Sequence, residues 1–221
     1  RNFTAFMKKE KELEEIRRIY SDEELRKSKA DSDPFKQFSK WFDQAAEAEI
    51  PEPTAMILST ASRKGIPSVR TVLLKGFDKE GFIFFTNYNS AKGKNLSENP
   101  FAEALFLWKE IERQVRISGR AEKISREQSE SYFKTRAYES KIGAWASEQG
   151  RLISSREFLE QRYKEYLKKY PNGDVPMPDY WGGYKLFPEK FEFWQGREHR
   201  LHDRIIYLKK ENKWEKIRLS P

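Results

Sequence analysis

Strand-type sequence falls in two blocks, at about residues 54–124 and 180–219. Apart from one short helix opened at Asn89-Ser90 inside the first block, helical periodicity lies in the stretch between them and in the N-terminal part of the chain. Strand and helix therefore do not alternate regularly, and there is no Gly-x-Gly-x-x-Gly. A doubly wound parallel sheet is disfavoured. The expected fold is mainly β with peripheral helices, an antiparallel barrel of the α+β class.

Local signals place the elements. Asp33-Pro34 offers an N-cap and a proline at the first helical position, and Phe35, Phe38, Trp41, Phe42 and Ala45 share one face, so a helix is predicted over about 34–48. Thr54–Thr60 and Pro67–Gly76 read as a hairpin, and Phe82–Thr86 as a third antiparallel strand of a meander or barrel. Asn89-Ser90 opens a short helix that Asn99-Pro100 closes, and strands follow at about 101–109 and 112–124. Ser125 and Gln128 form a capping box for a helix to about Arg136. A helix from Ser155 to about Tyr170 has Phe158, Leu159, Tyr163, Tyr166 and Leu167 as its expected buried stripe. Strands are predicted at about 181–187, 190–195, 199–209 and 213–219. Residues 1–32 read as a helical arm or lid, and residues 33–221 as one domain.

The chemistry gathers first in Trp194–Arg204. On a strand after Gly196, Arg200, His202 and Arg204 would line one face about 6.5–7 Å apart, a spacing suited to a flat anionic ligand. A charged strand edge that discourages aggregation would carry the same residues. The apolar flanks, Phe191, Phe193 and Trp194 before and Ile205, Ile206 and Tyr207 after, favour a site.

Other sets add anion-binding groups. Arg70 and Lys75 bracket an apolar strand and, five apart, point to opposite faces. Thr86, Asn89, Ser90 and Lys92 stand at a strand-to-helix junction, a natural phosphate seat. Tyr132, Arg136 and Ser140, four apart, would share a face of a continuing helix. Gln114 shares a strand face with Arg116, and Gln149 follows a small-residue loop at Gly143–Ser147. Each set also has an ordinary structural reading as strand ends, an N-cap or a helix end. Together they hold more phosphate-type donors than one phosphate needs.

Composition narrows the class. Lys and Arg number 43 against 35 Asp and Glu, a net charge of +8 that favours anionic partners. Nucleic acid is not expected, because the cations lie within apolar strands and not in an exposed stripe. No apolar run approaches a bilayer span, so no membrane role is expected, and a cytoplasmic setting is. Cysteine is absent, which excludes thiolate catalysis and disulfides. The only histidines, His199 and His202, lack a third metal ligand nearby, and no nucleophile elbow is present, so no metal is expected. A redox cofactor that carries its own chemistry fits best.

The residues resemble a known family. Arg70-x-Val-Leu-Leu-Lys75, Phe85-Thr-Asn87, Arg113-Gln-Val115, Tyr132-Phe-x-x-Arg136, Ser140-x-Ile-Gly-Ala144, Tyr180-Trp-Gly-Gly183, Trp194-Gln-Gly196, Arg200-Leu-His-Asp-Arg204 and Arg218-Leu-Ser-Pro221 closely resemble the pyridoxamine 5′-phosphate oxidases, in order from about Arg17 to the C-terminus. The resemblance implies an FMN-binding split β-barrel, a homodimer with FMN at the subunit interface. It also implies oxidation of pyridoxamine or pyridoxine 5′-phosphate by O2 to pyridoxal 5′-phosphate and hydrogen peroxide, the last step of vitamin B6 cofactor synthesis. A flavin-binding split barrel with a different substrate, or without activity, is the alternative.

By the same resemblance, Arg70, Thr71, Val72, Leu73, Leu74, Lys75, Phe85, Thr86 and Lys92 hold the FMN phosphate and ribityl chain. Gln114, Gln149, Gly150, Trp194 and Arg204 meet the flavin side. Lys75, Tyr132, Arg136 and Ser140 bind the substrate phosphate; Arg200, Leu201 and His202 hold its ring, with Arg200 and His202 as the catalytic pair; Arg17 and Tyr20 cover it. The chain departs from the family at Ala91, where an arginine is usual, and at Gly150, where a serine is. The first removes a phosphate donor.

Overall fold

The computed structural model describes residues 23–211 and 213–221; the arm residues Arg17 and Tyr20 lie outside them. Helix α1 (Pro34–Glu47) starts where Asp33 accepts a hydrogen bond from the Phe35 N–H at 2.9 Å, with proline in the first turn. Its apolar face enters the core: Phe38, fully buried, meets Phe77, Phe82 and Phe106 edge-on at centroid distances of 5.1, 4.8 and 5.1 Å.

The strands are β1 (Ala55–Ala61), β2 (Pro67–Leu73), β3 (Gly76–Phe77), β4 (Phe82–Asn87), β5 (Phe101–Trp108), β6 (Arg113–Lys123), β7 (Trp181–Gln195), β8 (Asp203–Lys210) and β9 (Lys213–Leu219). They form one antiparallel sheet in the order β2-β1-β5-β6-β7-β4-β3, with β8 added to β7 and β9 to β8. The two ends of that path, β2 and β3, are joined by only Leu74 and Lys75. The sheet must therefore curl until its ends meet, and the Lys75 N–H donates to the Ile83 carbonyl at 2.8 Å where they do.

Strand β7 splits the barrel. Its first half pairs with β4, its second half with β8, and β6 accompanies both. Two predicted strands, 181–187 and 190–195, are thus one. Pro188 does not end it, because the register shifts between Ser118 and Gly119 opposite. A Cβ at Gly119 would collide with the Phe187 carbonyl, so glycine is needed at that close approach.

The remaining helices are α2 (Ala91–Glu98), α3 (Arg126–Thr135), α4 (Tyr138–Ala146) and α5 (Arg156–Lys169). Helices α3 and α4 cover a second apolar cluster of Phe133, Ile142, Val175, Met177 and Trp181. The expected buried stripe of α5 is not buried: Tyr163, Tyr166 and Leu167 pack half-exposed on that cluster, and Phe158 is 42% exposed. No helix among the described residues is long and apolar enough to cross a membrane.

Three further expectations change. The strand expected from 199 begins at Asp203, after a 3-10 turn at Glu198–Arg200 in which His199 and Arg200 take positive φ of 55° and 61°. Arg200, His202 and Arg204 are therefore not one strand row, and Arg204 alone sits in the ladder. The single helix through Arg136 and Ser140 is two, broken where Arg136 takes extended backbone. Gly143–Ala146 closes α4 and is not loop.

Candidate active site

A cavity of about 490 Å³ opens between the end of β2, strand β4, the N-terminus of α2 and the break between α3 and α4. Its size is that of a small-molecule site. Thr71, Val72, Leu73, Lys75, Phe85, Thr86, Lys92, Tyr132, Arg136, Ser140 and Gln149 all line it, so eleven residues named from sequence are brought together. The break at Arg136 does this work: it turns α4 so that Ser140 still faces the same space as Tyr132.

Among the described residues, three cations border the cavity and no carboxylate does. Lys92 is buried and donates to Thr86 Oγ1 at 3.1 Å and to Gln149 Oε1 at 2.9 Å. Burial, then the nearby charge of Arg70, lowers its pKa to about 8. The Arg136 guanidinium lies 4.9 Å from the Trp181 ring centroid, and its Nη1 is buried without a hydrogen-bond partner among the described residues. Burial also pushes its pKa down. A buried donor without an acceptor is costly, and an anion in the cavity would satisfy it.

Phe85, Tyr132 and Trp181 form an aromatic wall, Phe85 stacking on Tyr132 at 3.9 Å and on Trp181 at 5.2 Å. Gly143, Ala144 and Ser147, expected from sequence as a small-residue stretch able to approach a planar ligand, also line the cavity, as do Trp181 and Asn87, to which the sequence assigns no site role. The pair Gly182-Gly183 was the available signal. A side chain there would strike Tyr88 or Ile124, so the pair marks the close approach that sets Trp181 against Phe85.

Arg70 and Leu74 do not line the cavity. Arg70 donates to the Leu58 and Ser68 carbonyls and to Thr60 Oγ1, reaching the site by its charge, and Leu74 is buried in the core. Gly150 lines a neighbouring cavity with Ala91 and Lys94.

The remaining residues form a second group. Gln114, Trp194 and Arg204 are laterally aligned on β6, β7 and β8. Arg204 Nε donates to Glu192 Oε1 at 2.8 Å, and Arg116 Nη2 to the same oxygen at 2.6 Å. Burial alone would raise the Glu192 carboxyl, but hydrogen bonds and charge from the two arginines hold it below the usual range. The His202 ring lies 4.6 Å from that of Trp194, and its Nδ1 accepts from the Arg197 N–H at 3.0 Å. Burial, then Arg200, lowers the His202 pKa. His202 and the 68%-exposed Leu201 border a shallow pocket with the C-terminal Arg218–Pro221, and Arg200 is exposed beside them.

Neither the 490 Å³ cavity nor the shallow C-terminal pocket is lined by residues of both groups. Phe85 pairs with Gly183 on β7, and Trp194 lies on the same strand eleven residues later, about 36 Å along it. Across the sheet, Thr71 is four strand spacings from Glu192, about 19 Å. The outer face between them exposes Val69 and Leu107, which are 65% and 43% accessible.

Comparison with known proteins gives the same family along most of the chain. A family model described as pyridoxamine 5′-phosphate oxidase matches residues 42–170, and one described as the pyridoxine 5′-phosphate oxidase C-terminal dimerisation region matches residues 181–221. Proteins named pyridoxine/pyridoxamine 5′-phosphate oxidase are 51% identical in Trichormus variabilis, covering 95% of this chain and 98% of the relative, and 53% identical in Rippkaea orientalis, covering 93% and 98%. Among solved structures, PhzG from Burkholderia lata 383, in complex with tetrahydrophenazine-1-carboxylic acid, superposes with a TM-score of 0.86 at 30% identity, covering 91% of this chain and all of that one.

Proposed function

Because the chain belongs to the pyridoxamine 5′-phosphate oxidase family, we propose that two copies close their half-sites over FMN and pyridoxamine or pyridoxine 5′-phosphate, and oxidise that substrate with O2. The observation that carries the reading is the cavity's charge: Lys75, Lys92 and Arg136 line it without a carboxylate, and Arg136 Nη1 is buried without a partner among the described residues. Two phosphorylated rings in one space call for that surplus.

The donor set fits both phosphates. Lys92, Thr86 and Gln149, backed by the charge of Arg70, suit the FMN phosphate; Lys75, Tyr132, Arg136 and Ser140 suit the substrate's. The aromatic wall of Phe85, Tyr132 and Trp181 excludes water on one side. Gln114, Trp194 and Arg204 of the second copy would complete the flavin side, bringing Arg200, Leu201 and His202 to the substrate ring. Bound there, FMN would supply a two-electron acceptor that O2 reoxidises to give hydrogen peroxide; the alcohol substrate would leave as the aldehyde directly, and the amine would take its aldehyde oxygen from water and release ammonia. His202 orients: with Nδ1 occupied by the Arg197 N–H, its proton sits on Nε2 as a donor toward the ring. Arg204, held by buried Glu192, keeps a fixed positive charge where negative charge gathers during reduction.

The phenazine-type ligand of the 30%-identical structure suggests a second substrate class, a carboxylic acid without phosphate. Oxygen-uptake assays separate the two. The purified protein is expected to be yellow and to consume O2 with pyridoxamine 5′-phosphate, with inorganic phosphate competing. A colourless protein that FMN cannot reconstitute, or one active only on phosphate-free acids, overturns the proposal.

A further inference from the structure

Residues 23–31 contain no helix or strand, yet side chains of the C-terminal strands hold their backbone. Lys216 Nζ donates to the Ala30 carbonyl at 2.7 Å, the Tyr207 hydroxyl to the Asp31 carbonyl at 2.6 Å, and the Leu25 N–H to Asp203 Oδ2 at 2.9 Å. Glu23 lies 2.8 Å from Arg113, itself fixed by Gln44 and Gln195 and packed 4.6 Å from the Trp41 ring. These contacts tie the strap to the sheet. Arg197 ties it to the loop that carries His202.

Arg197 Nη1 stands 3.4 Å from Glu24 Oε1 and 3.4 Å from the Glu23 carbonyl. The backbone N–H of the same residue donates to His202 Nδ1. Between them the chain passes through two residues with left-handed φ, a conformation that its surroundings must hold in place. The Gly196 N–H is anchored to the Glu112 carbonyl at 2.8 Å, so the loop is fixed before Arg197 by the sheet and at Arg197 by the strap.

We propose that Arg197 is a positioning residue: its guanidinium, latched to Glu24 and the Glu23 carbonyl, fixes the loop so that its own N–H stays on His202 Nδ1 and the imidazole proton stays on Nε2. The consequence for turnover rests on the proposed role of His202 at the substrate ring. The tautomer is a property of the protein alone, and can be read without substrate.

His199 and His202 are the only histidines, and His199 has a side chain 83% exposed and no site role, so a His199→Gln background isolates the His202 imidazole 15N signals in the FMN-loaded protein. The expected spectrum near neutral pH is that of the Nε2–H tautomer. Arg197→Ala should convert it to a tautomer mixture and raise KM for pyridoxamine 5′-phosphate roughly tenfold, while kcat and FMN content change little. Arg197→Lys should restore part of both effects, and Glu24→Gln should shift both in the direction of Arg197→Ala. If Arg197→Ala does not fold, Arg197→Lys and Glu24→Gln decide the matter. An unchanged tautomer and KM in these variants, even with a lowered Tm, would make Arg197 merely structural and overturn the proposal. A protein without oxidase activity would sink the functional reading and leave the 15N result to decide the latch.

Discussion

Lys92 shows how far one residue's environment sets a testable property. Its pKa stands at about 8 against an ordinary 10.5, because burial and Arg70 disfavour the charged form. Between those values the unfolded chain binds a proton that the folded chain does not, so stability without phosphate should rise with pH from about 8 to 10.5. Phosphate binding has the opposite sign, since an anion needs the ammonium. FMN affinity, followed by quenching of flavin fluorescence, should weaken as pH rises through about 8, and Lys92→Met should flatten that dependence. Constant affinity across the range would remove Lys92 from the phosphate seat. The strand-to-helix junction at Asn89-Ser90 made this residue legible, and family motifs made Lys75, Tyr132 and Arg136 so. Trp181 has only the neighbouring Gly182-Gly183 as a signal, because its role comes from a close approach that the glycines permit but do not by themselves identify. Alternation predicts a strand through Arg200 and His202, but the chain turns there, so a period-2 pattern does not carry across the segment.

At the scale of elements, α1 and β7 organise the molecule. Phe38 is fully buried and touches aromatic rings from β3, β4 and β5, so Phe38→Ala should cost about 3–5 kcal/mol, read as a lower urea midpoint with little change in m. A loss under about 1 kcal/mol would mean that α1 is not integral to the core. The start of α1 was legible because Asp33-Pro34 is local chemistry. The continuity of β7 was not, since Pro188 reads as a break and only the bulge across from it permits the strand to continue. The positions of α1, α2, α3 and α5 agree with the expectation and α4 does not; the burial of α5 is less than expected, because an apolar stripe does not report how well it is covered.

At the scale of the whole molecule, periodicity gave antiparallel strands but not their order. The meander expected of the first three strands does not continue, because β4 pairs with β7 from the far end of the chain, and such non-local pairing leaves no local signature. The same limit applies to the site, whose expected interface position comes from the family resemblance and not from any local pattern. Phe85, beside Gly183 on β7, and Trp194, both expected around one ligand, lie about 36 Å apart along that strand, while the C-terminal match is to a dimerisation region. The proposal that each site takes one half from each copy can be tested by mixing. Arg136→Ala and Arg204→Ala homodimers should each be nearly inactive; after dissociation and random reassociation, each mixed dimer would hold one intact site and one doubly defective site. Activity should then recover to about a quarter of the wild-type rate per chain. No recovery, with mixed dimers verified to form, would contradict a site shared between two copies.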